Sequence, residues 1–133
     1  MEKPNGITIL ANISGLSADV LTDSYLWKKV SEQLARYVNL TPVEDGWITK
    51  KFSTEQMNPS GITFALILAE SHLCGHTWGE FGYMRLELSS CKQVGIKRVK
   101  DFIKYHFPDA EVEIKAKKWN VTNSPKWKVW EEE

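Results

Sequence analysis

Between Gly61 and Cys91 the chain reads GITFALILAESHLCGHTWGEFGYMRLELSSC, and two of its three histidines, both of its cysteines and a Glu70-Ser71 bond fall in that stretch. These residue types at these spacings admit three kinds of chemistry. If the segment is extended, His72, Cys74 and His76 point the same way, and Cys91 or Glu80 supplies a fourth ligand for zinc. The spacing H-x-C-x-H matches none of the usual zinc signatures, and a helical H-x-x-x-H pair is disfavoured by Gly75, Thr77 and Gly79. Alternatively, Ser71 or Cys91 is a nucleophile activated by His76. In the third case the histidines satisfy buried backbone groups and the cysteines act as small core residues. Residue types alone leave all three open.

The elements that must position these groups follow from periodicity. Ile7 to Ile13 is rich in β-branched residues and ends at Ser14-Gly15, which predicts a strand and a turn. After a short capping region from Leu16 to Thr22, Leu26, Val30, Leu34, Tyr37 and Val38 recur at helical spacing; Thr22 or Asp23 caps that helix and Thr41-Pro42 stops it. Trp47 to Phe52 reads as a second strand and Ser53 to Gly61, with Asn58-Pro59-Ser60-Gly61, as a polar loop. In the next strand, Thr63 to Ala69, one parity carries Phe64, Leu66 and Leu68 and the other Thr63, Ala65, Ile67 and Ala69. The bulky face calls for helices over it, and something else must lie over the small one. Leu73 to Thr77 is a further extended piece. Tyr83 to Ser90 alternates cleanly, with Met84, Leu86 and Leu88 opposite Arg85 and Glu87, which puts Cys91 on the Arg85 side if the strand persists. A second helix is expected from about Gln93 to Phe107, with Ile96, Val99, Phe102, Ile103 and His106 on one stripe, and a last strand from Ala110 to Lys115.

The order strand, helix, several strands, helix, strand predicts an α+β fold, β-α-β-β-β-α-β-like, with an antiparallel sheet carrying two helices on one face. Residues 1–116 form the expected domain; 117–133 form a tail loaded with Trp119, Trp127 and Trp130, whose rings are expected to pack back on it. At 133 residues there is room for one core. Lysine plus arginine and aspartate plus glutamate balance at 17 each, so no global field recruits nucleic acid or a membrane surface, and function must reside in a local site. Two cysteines are too few for a disulfide scaffold, MEKPNG lacks the apolar core of a signal peptide, and the longest apolar run, Phe64 to Ala69, is strand-sized. A reduced, cytoplasmic setting is expected.

The string Glu70-Ser71-His72-Leu73-Cys74-Gly75-His76-Thr77-Trp78-Gly79-Glu80-Phe81-Gly82-Tyr83, with Cys91 beyond it, resembles the processing-site motif of the small prokaryotic S-adenosylmethionine decarboxylases, E-S-H-x-x-x-H-T-W-P-E-x-G-Y followed by a cysteine at this distance. A looser likeness runs from about Ile7 to Ile114. The resemblance implies a sandwich fold of that family and an enzyme that makes its own cofactor. The Ser71 hydroxyl attacks the Glu70 carbonyl, the amide becomes an ester, and β-elimination cuts the chain into 1–70 and 71–133, leaving a pyruvoyl group at the new N-terminus. That ketone condenses with the amine of a small amino-acid-type substrate as a Schiff base and accepts the electrons released as CO2 departs. By the same resemblance His76 assists processing, Cys91 donates the proton that quenches the decarboxylated carbon, Glu80 binds the ribose hydroxyls, and Glu70 flanks both the cut and the substrate. Family members form homodimers with stacked sheets, which gives the small-residue face of the third strand an occupant.

Three positions depart from the pattern. Thr63 stands for a serine that assists processing and catalysis; Gly79 replaces the proline of H-T-W-P-E; and Met57 aligns with the aromatic that stacks on adenine, where sulfur offers a weaker platform. S-adenosylmethionine remains the favoured substrate. L-Ornithine or L-arginine is the alternative, with Glu87 as partner for a distal cation, and an unprocessed, non-catalytic homologue is the reading from another class.

Overall fold

The computed structural model describes the backbone of residues 5–54, 57–120 and 128–129, and side chains throughout except at 54, 57–60, 128 and 129. Alternation within each strand dictates the architecture. Strands β1 (Asn5–Ser14), β2 (Pro42–Thr54), β3 (Met57–Leu68), β4 (Ser71–Trp78), β5 (Tyr83–Ser90), β6 (Glu111–Asn120) and the two-residue β7 (Lys128–Val129) pair antiparallel in the order β2-β3-β4-β5-β1-β6-β7. One parity of β1, β3, β4, β5 and β6 supplies the core: Ile7, Ile9 and Ile13; Phe64, Leu66 and Leu68; Leu73; Met84 and Leu88; Ile114, all at most 3% exposed. That face is covered by helices α1 (Ala18–Leu21), α2 (Ser24–Tyr37) and α3 (Ile96–His106), which contribute Leu21, Trp27, Leu34, Val99 and Ile103 to the same core. The other face carries no helix among the described residues.

Local chemistry sets the helix ends. Asp23 caps α2, its carboxylate accepting the Leu26 N–H at 3.0 Å, which is worth about 1 kcal/mol. The expected capping region is itself a short helix, α1, begun by the Ser17 side chain. α3 starts at Ile96, three residues later than the periodicity predicts, because Val94 is buried in extended chain and Gly95 forms the N-cap without a side-chain bond.

Three other expectations are corrected. The condensed order β-α-β-β-β-α-β is one strand short: four lie between α2 and α3, one for each of the four extended segments read there. The segment read as a loop from Ser53 to Gly61 is instead largely a hairpin: β3 begins at Met57, and Thr54 pairs with it. Pro59 fits because β4 pairs with β3 only from Thr63 onward, and a register irregularity between Phe52 and Thr54 takes up the extra residues. The last strand does not stop at Lys115; it runs to Asn120, so Lys117 to Asn120 of the expected tail belong to the sheet. Trp119 lies over Gly6 and donates its Nε1–H to Thr8 at 3.1 Å. Trp127 and Trp130 lie outside the described residues. No helix among the described residues is long and apolar enough to cross a membrane.

The sheet is locked to α2 by an aromatic stack in which Phe64 lies 6.1 Å from Trp27 and 5.0 Å from Trp47. Gly75 of β4 runs directly beneath it, where a Cβ would overlap the Phe64 ring. Gly75→Ala is therefore expected to cost about 1–3 kcal/mol by overpacking, read as a lower urea midpoint at unchanged m-value.

Candidate active site

β3 and β4 are joined by a two-residue loop, Ala69-Glu70, since Leu68 and Ser71 are already register partners. Its second residue is left-handed: Glu70 has φ 60°, a region otherwise occupied here by Asn39 and Asp45, residue types that tolerate it. For a glutamate the conformation costs roughly 1–2 kcal/mol. The turn is held in place from outside, by the Ala69 N–H donating to Thr41 O at 2.9 Å and by the Cys91 N–H donating to the Glu70 carbonyl at 3.4 Å. Beside it the Ser71 hydroxyl donates to Ser90 Oγ at 2.9 Å, and Ser90 Oγ also accepts the Lys92 N–H at 2.9 Å. Cys91 is exposed, as expected; β5 ends at Ser90, so its face is not fixed by the strand.

His76 belongs to a different place. It is the register partner of Thr63, and Thr63 Oγ1 and His76 Nδ1 share a hydrogen bond at 3.0 Å. Its ring lies 6.2 Å from Trp78, which in turn packs 5.4 Å from Tyr83. β4 buries Leu73, Gly75 and Thr77 and turns His72, Cys74, His76 and Trp78 to the helix-free face, so Ser71 and His76 have opposite parity. Five residues of strand also separate them by roughly 16 Å. The pairing of Ser71 with His76 as nucleophile and base within one chain is thus not present.

Glu80 follows at the His76 end, in the 3₁₀ turn Gly79–Phe81, and its Oε2 is buried with no hydrogen-bond partner among the described residues. Gly79, in place of proline, lacks a positive φ, and the turn closes through Gly82 N–H to Gly79 O at 3.4 Å. Met57 opens β3 at the same end; its side chain lies outside the description.

Between the two ends the helix-free face holds an open cavity of about 530 Å3 lined by Leu10, Cys74, His76, Arg85, Glu87 and Lys115. His72 Nε2 lies 3.9 Å from Glu87 Oε2. Burial, and secondarily the Glu87 carboxylate, push the Cys74 thiol up. His72, Cys74 and His76 share the helix-free face, as an extended segment requires. Among the described residues no three His, Cys, Asp or Glu side chains converge.

Two residues that sequence reasoning passed over matter here. Ser90 is 1% exposed and occupies the core parity of Met84, Leu86 and Leu88; a serine at an apolar position was the available signal. Thr77, also buried, accepts the Ile62 N–H at 2.9 Å and donates to Leu21 O at 2.6 Å, tying β3, β4 and α1 together.

This architecture is similar to the crystal structure of the adenosylmethionine decarboxylase from Aquifex aeolicus, with a TM-score of 0.62 at 24% identity over 85% of this chain and 90% of that one; the two share a fold. The S-adenosylmethionine decarboxylase family profile matches residues 7–118. Proteins named S-adenosylmethionine decarboxylase proenzyme are 32% identical over 91 residues in Sulfurihydrogenibium sp. (68% of this chain, 63% of that one) and 30% identical over 86 residues in Archaeoglobus fulgidus (65% and 70%). The chain thus spans a little less than two thirds of the Sulfurihydrogenibium relative. The chain belongs to the S-adenosylmethionine decarboxylase family.

Because the Cys74 thiol is half-buried and raised, its thiolate forms only at higher pH than in an ordinary cysteine. With iodoacetamide at pH 7.5, peptide mass spectrometry is expected to find Cys91 modified several-fold faster than Cys74, and Cys74 labelling is expected to climb only as the pH is raised.

Proposed function

We propose that this chain cuts itself between Glu70 and Ser71 and uses the resulting pyruvoyl group to decarboxylate S-adenosylmethionine. The observation that carries this reading is the left-handed Glu70, whose carbonyl accepts a backbone N–H while the adjacent serine hydroxyl is held by a buried neighbour. In the cleavage an Oγ–C bond forms, the C–N bond breaks, and the hydroxyl proton ends on the Ser71 nitrogen. Loss of the Ser71 Cα proton then expels Glu70 as a carboxylate, and water replaces the nitrogen, which leaves as ammonia. The Cys91 N–H lies where negative charge develops on the Glu70 oxygen, and such donors are worth most where charge appears. The ketone so formed supplies the sink for the electrons that CO2 leaves behind.

The chain's own groups do the rest. Cys91, exposed beside the cut, delivers the proton to the carbon that lost CO2. Glu80, with a buried oxygen unpartnered among the described residues, accepts from the ribose hydroxyls. Thr63 keeps the hydroxyl that its extra methyl put in question, bonded to His76, and the pair handles the protons of processing. For ornithine or arginine, Glu87 would have to bind a distal cation in a cavity it shares with Arg85 and Lys115, whose charges oppose one. S-Adenosylmethionine, itself cationic at sulfur, is favoured because it is the substrate in the relatives' names.

One protomer holds only two half-sites: Glu70, Ser71 and Cys91 at one end of β4, Thr63, His76 and Glu80 at the other. Two copies stacked two-fold by their helix-free faces, with the strand ends exchanged, bring the β3–β4 turn that carries Glu70 and Ser71 of one chain to the Thr63, His76 and Glu80 end of the other, and the exposed Ile48, Phe52 and Ile67 on that face supply apolar area for the contact. The functional unit is then a homodimer.

Purified protein is expected to resolve by mass spectrometry into pieces of about 8 and 7 kDa from the 15.3 kDa chain, and Ser71→Ala to stay whole and release no CO2 from labelled S-adenosylmethionine. A parent chain that remains intact with an unmodified Ser71 contradicts the reading. Ser71→Ala and His76→Ala, each inactive alone, should regain about a quarter of parental activity when co-expressed, because half of randomly mixed dimers carry one complete site. No recovery would place both halves within one chain.

A further inference from the structure

Resting on the self-cleavage proposed above, we infer that Ser90 is the residue that positions the Ser71 hydroxyl for attack on the Glu70 carbonyl. The last residue of β5 and the two after it close around the bond to be cut. Ser90 Oγ receives the Ser71 hydroxyl at 2.9 Å, the Cys91 N–H reaches the Glu70 carbonyl oxygen, and the Lys92 N–H fixes Ser90 Oγ at 2.9 Å. One short segment therefore grips both the attacking oxygen and the carbonyl it must reach.

Ser90 is suited to this in a way its neighbours are not. It is 1% exposed, the direct register partner of Ser71, and on the face of the sheet where every other β5 residue is apolar. A hydroxyl at such a position has few partners, and both bonds recorded for its oxygen are accepted ones, which makes Ser71 the donor. With its proton directed at Ser90, the Ser71 oxygen keeps its lone pairs free to form the bond to carbon. The proton it sheds ends on the Ser71 nitrogen, and Ser90 leaves the step unchanged. His76, roughly 16 Å along β4 and on the other face, cannot perform this orientation in its own chain.

The test follows cleavage of freshly translated chain. Ser90→Ala is expected to convert about tenfold more slowly than the parent, and Ser90→Thr, which keeps the hydroxyl, to return to within a few-fold of it. Hydroxylamine, which splits esters, should release no extra 1–70 fragment from Ser90→Ala, because the first step is the one impaired. Urea midpoints measured on the Ser71→Ala background, with and without Ser90→Ala, separate positioning from folding. If Ser90→Ala does not fold, Ser90→Cys decides, and conversion at the parental rate overturns the inference. So does parental-rate cleavage by a folded Ser90→Ala, or an accumulating hydroxylamine-sensitive ester. A parent that never cleaves defeats the underlying reading instead, whatever the Ser90 variants do.

Discussion

Side chains on a β-strand alternate between faces, and β4 carries Ser71 and His76 five positions apart. An odd separation commits them to opposite faces, and the length of the separation commits them to opposite ends. Most other features of the site follow. Ser71 turns toward the helix-covered side, where Ser90 is its partner; His76 turns to the open side, where Thr63 is its partner. No rotamer change can bring the two together, because the barrier is the pleat of a strand paired on both edges. A centre that needs both cannot be assembled within one chain.

The strained turn at Glu70 persists because its surroundings outweigh it. Left-handed glutamate costs roughly 1–2 kcal/mol, while each fully buried leucine contributes about 1.5–3 kcal/mol. Leu66, Leu68, Leu73 and Leu88 beside the hairpin are each at most 2% exposed. Shifting β3 against β4 by one residue to relax the turn would drive Leu66 and Leu68 of β3 to the open face. The core thus holds an unfavourable backbone conformation beside the Ser71 hydroxyl, and in the self-cleavage proposed above such strain assists bond breaking.

Much of this was legible in the sequence. The parity of Phe64, Leu66 and Leu68, and of Met84, Leu86 and Leu88, placed the core face correctly, and Asp23 announced the start of α2. The hairpin through Asn58-Pro59-Ser60 was not legible, since proline and glycine suppress the strand signal even where sheet geometry has room for them. Candidate site residues could be singled out by type, because E-S-H and H-T-W-x-E are distinctive strings. Their division could not, because one-dimensional proximity hides facing: residues 71 and 76 look adjacent until parity is applied to a strand whose pairing is known. Ser90 was missed for the complementary reason, since its significance lies in a partner 19 positions away.

The three departures from the family pattern are distributed in a way that parity explains. Thr63, Gly79 and Met57 all lie toward the His76 end; Glu70, Ser71 and Cys91 keep the expected types. In the proposed reaction the half that keeps the family motif's types is built on a two-residue loop, where electrophile and nucleophile are neighbours in one backbone and any change alters their geometry directly. The changed half is made of side chains reaching across from strand ends and a 3₁₀ turn, where a methyl on Thr63 can be absorbed with the bond to His76 intact, and where Gly79 still closes its turn. On the proposed function, these three departures therefore fall in the half assigned to proton handling and substrate recognition, and none falls in the half assigned to the covalent rearrangement of the chain.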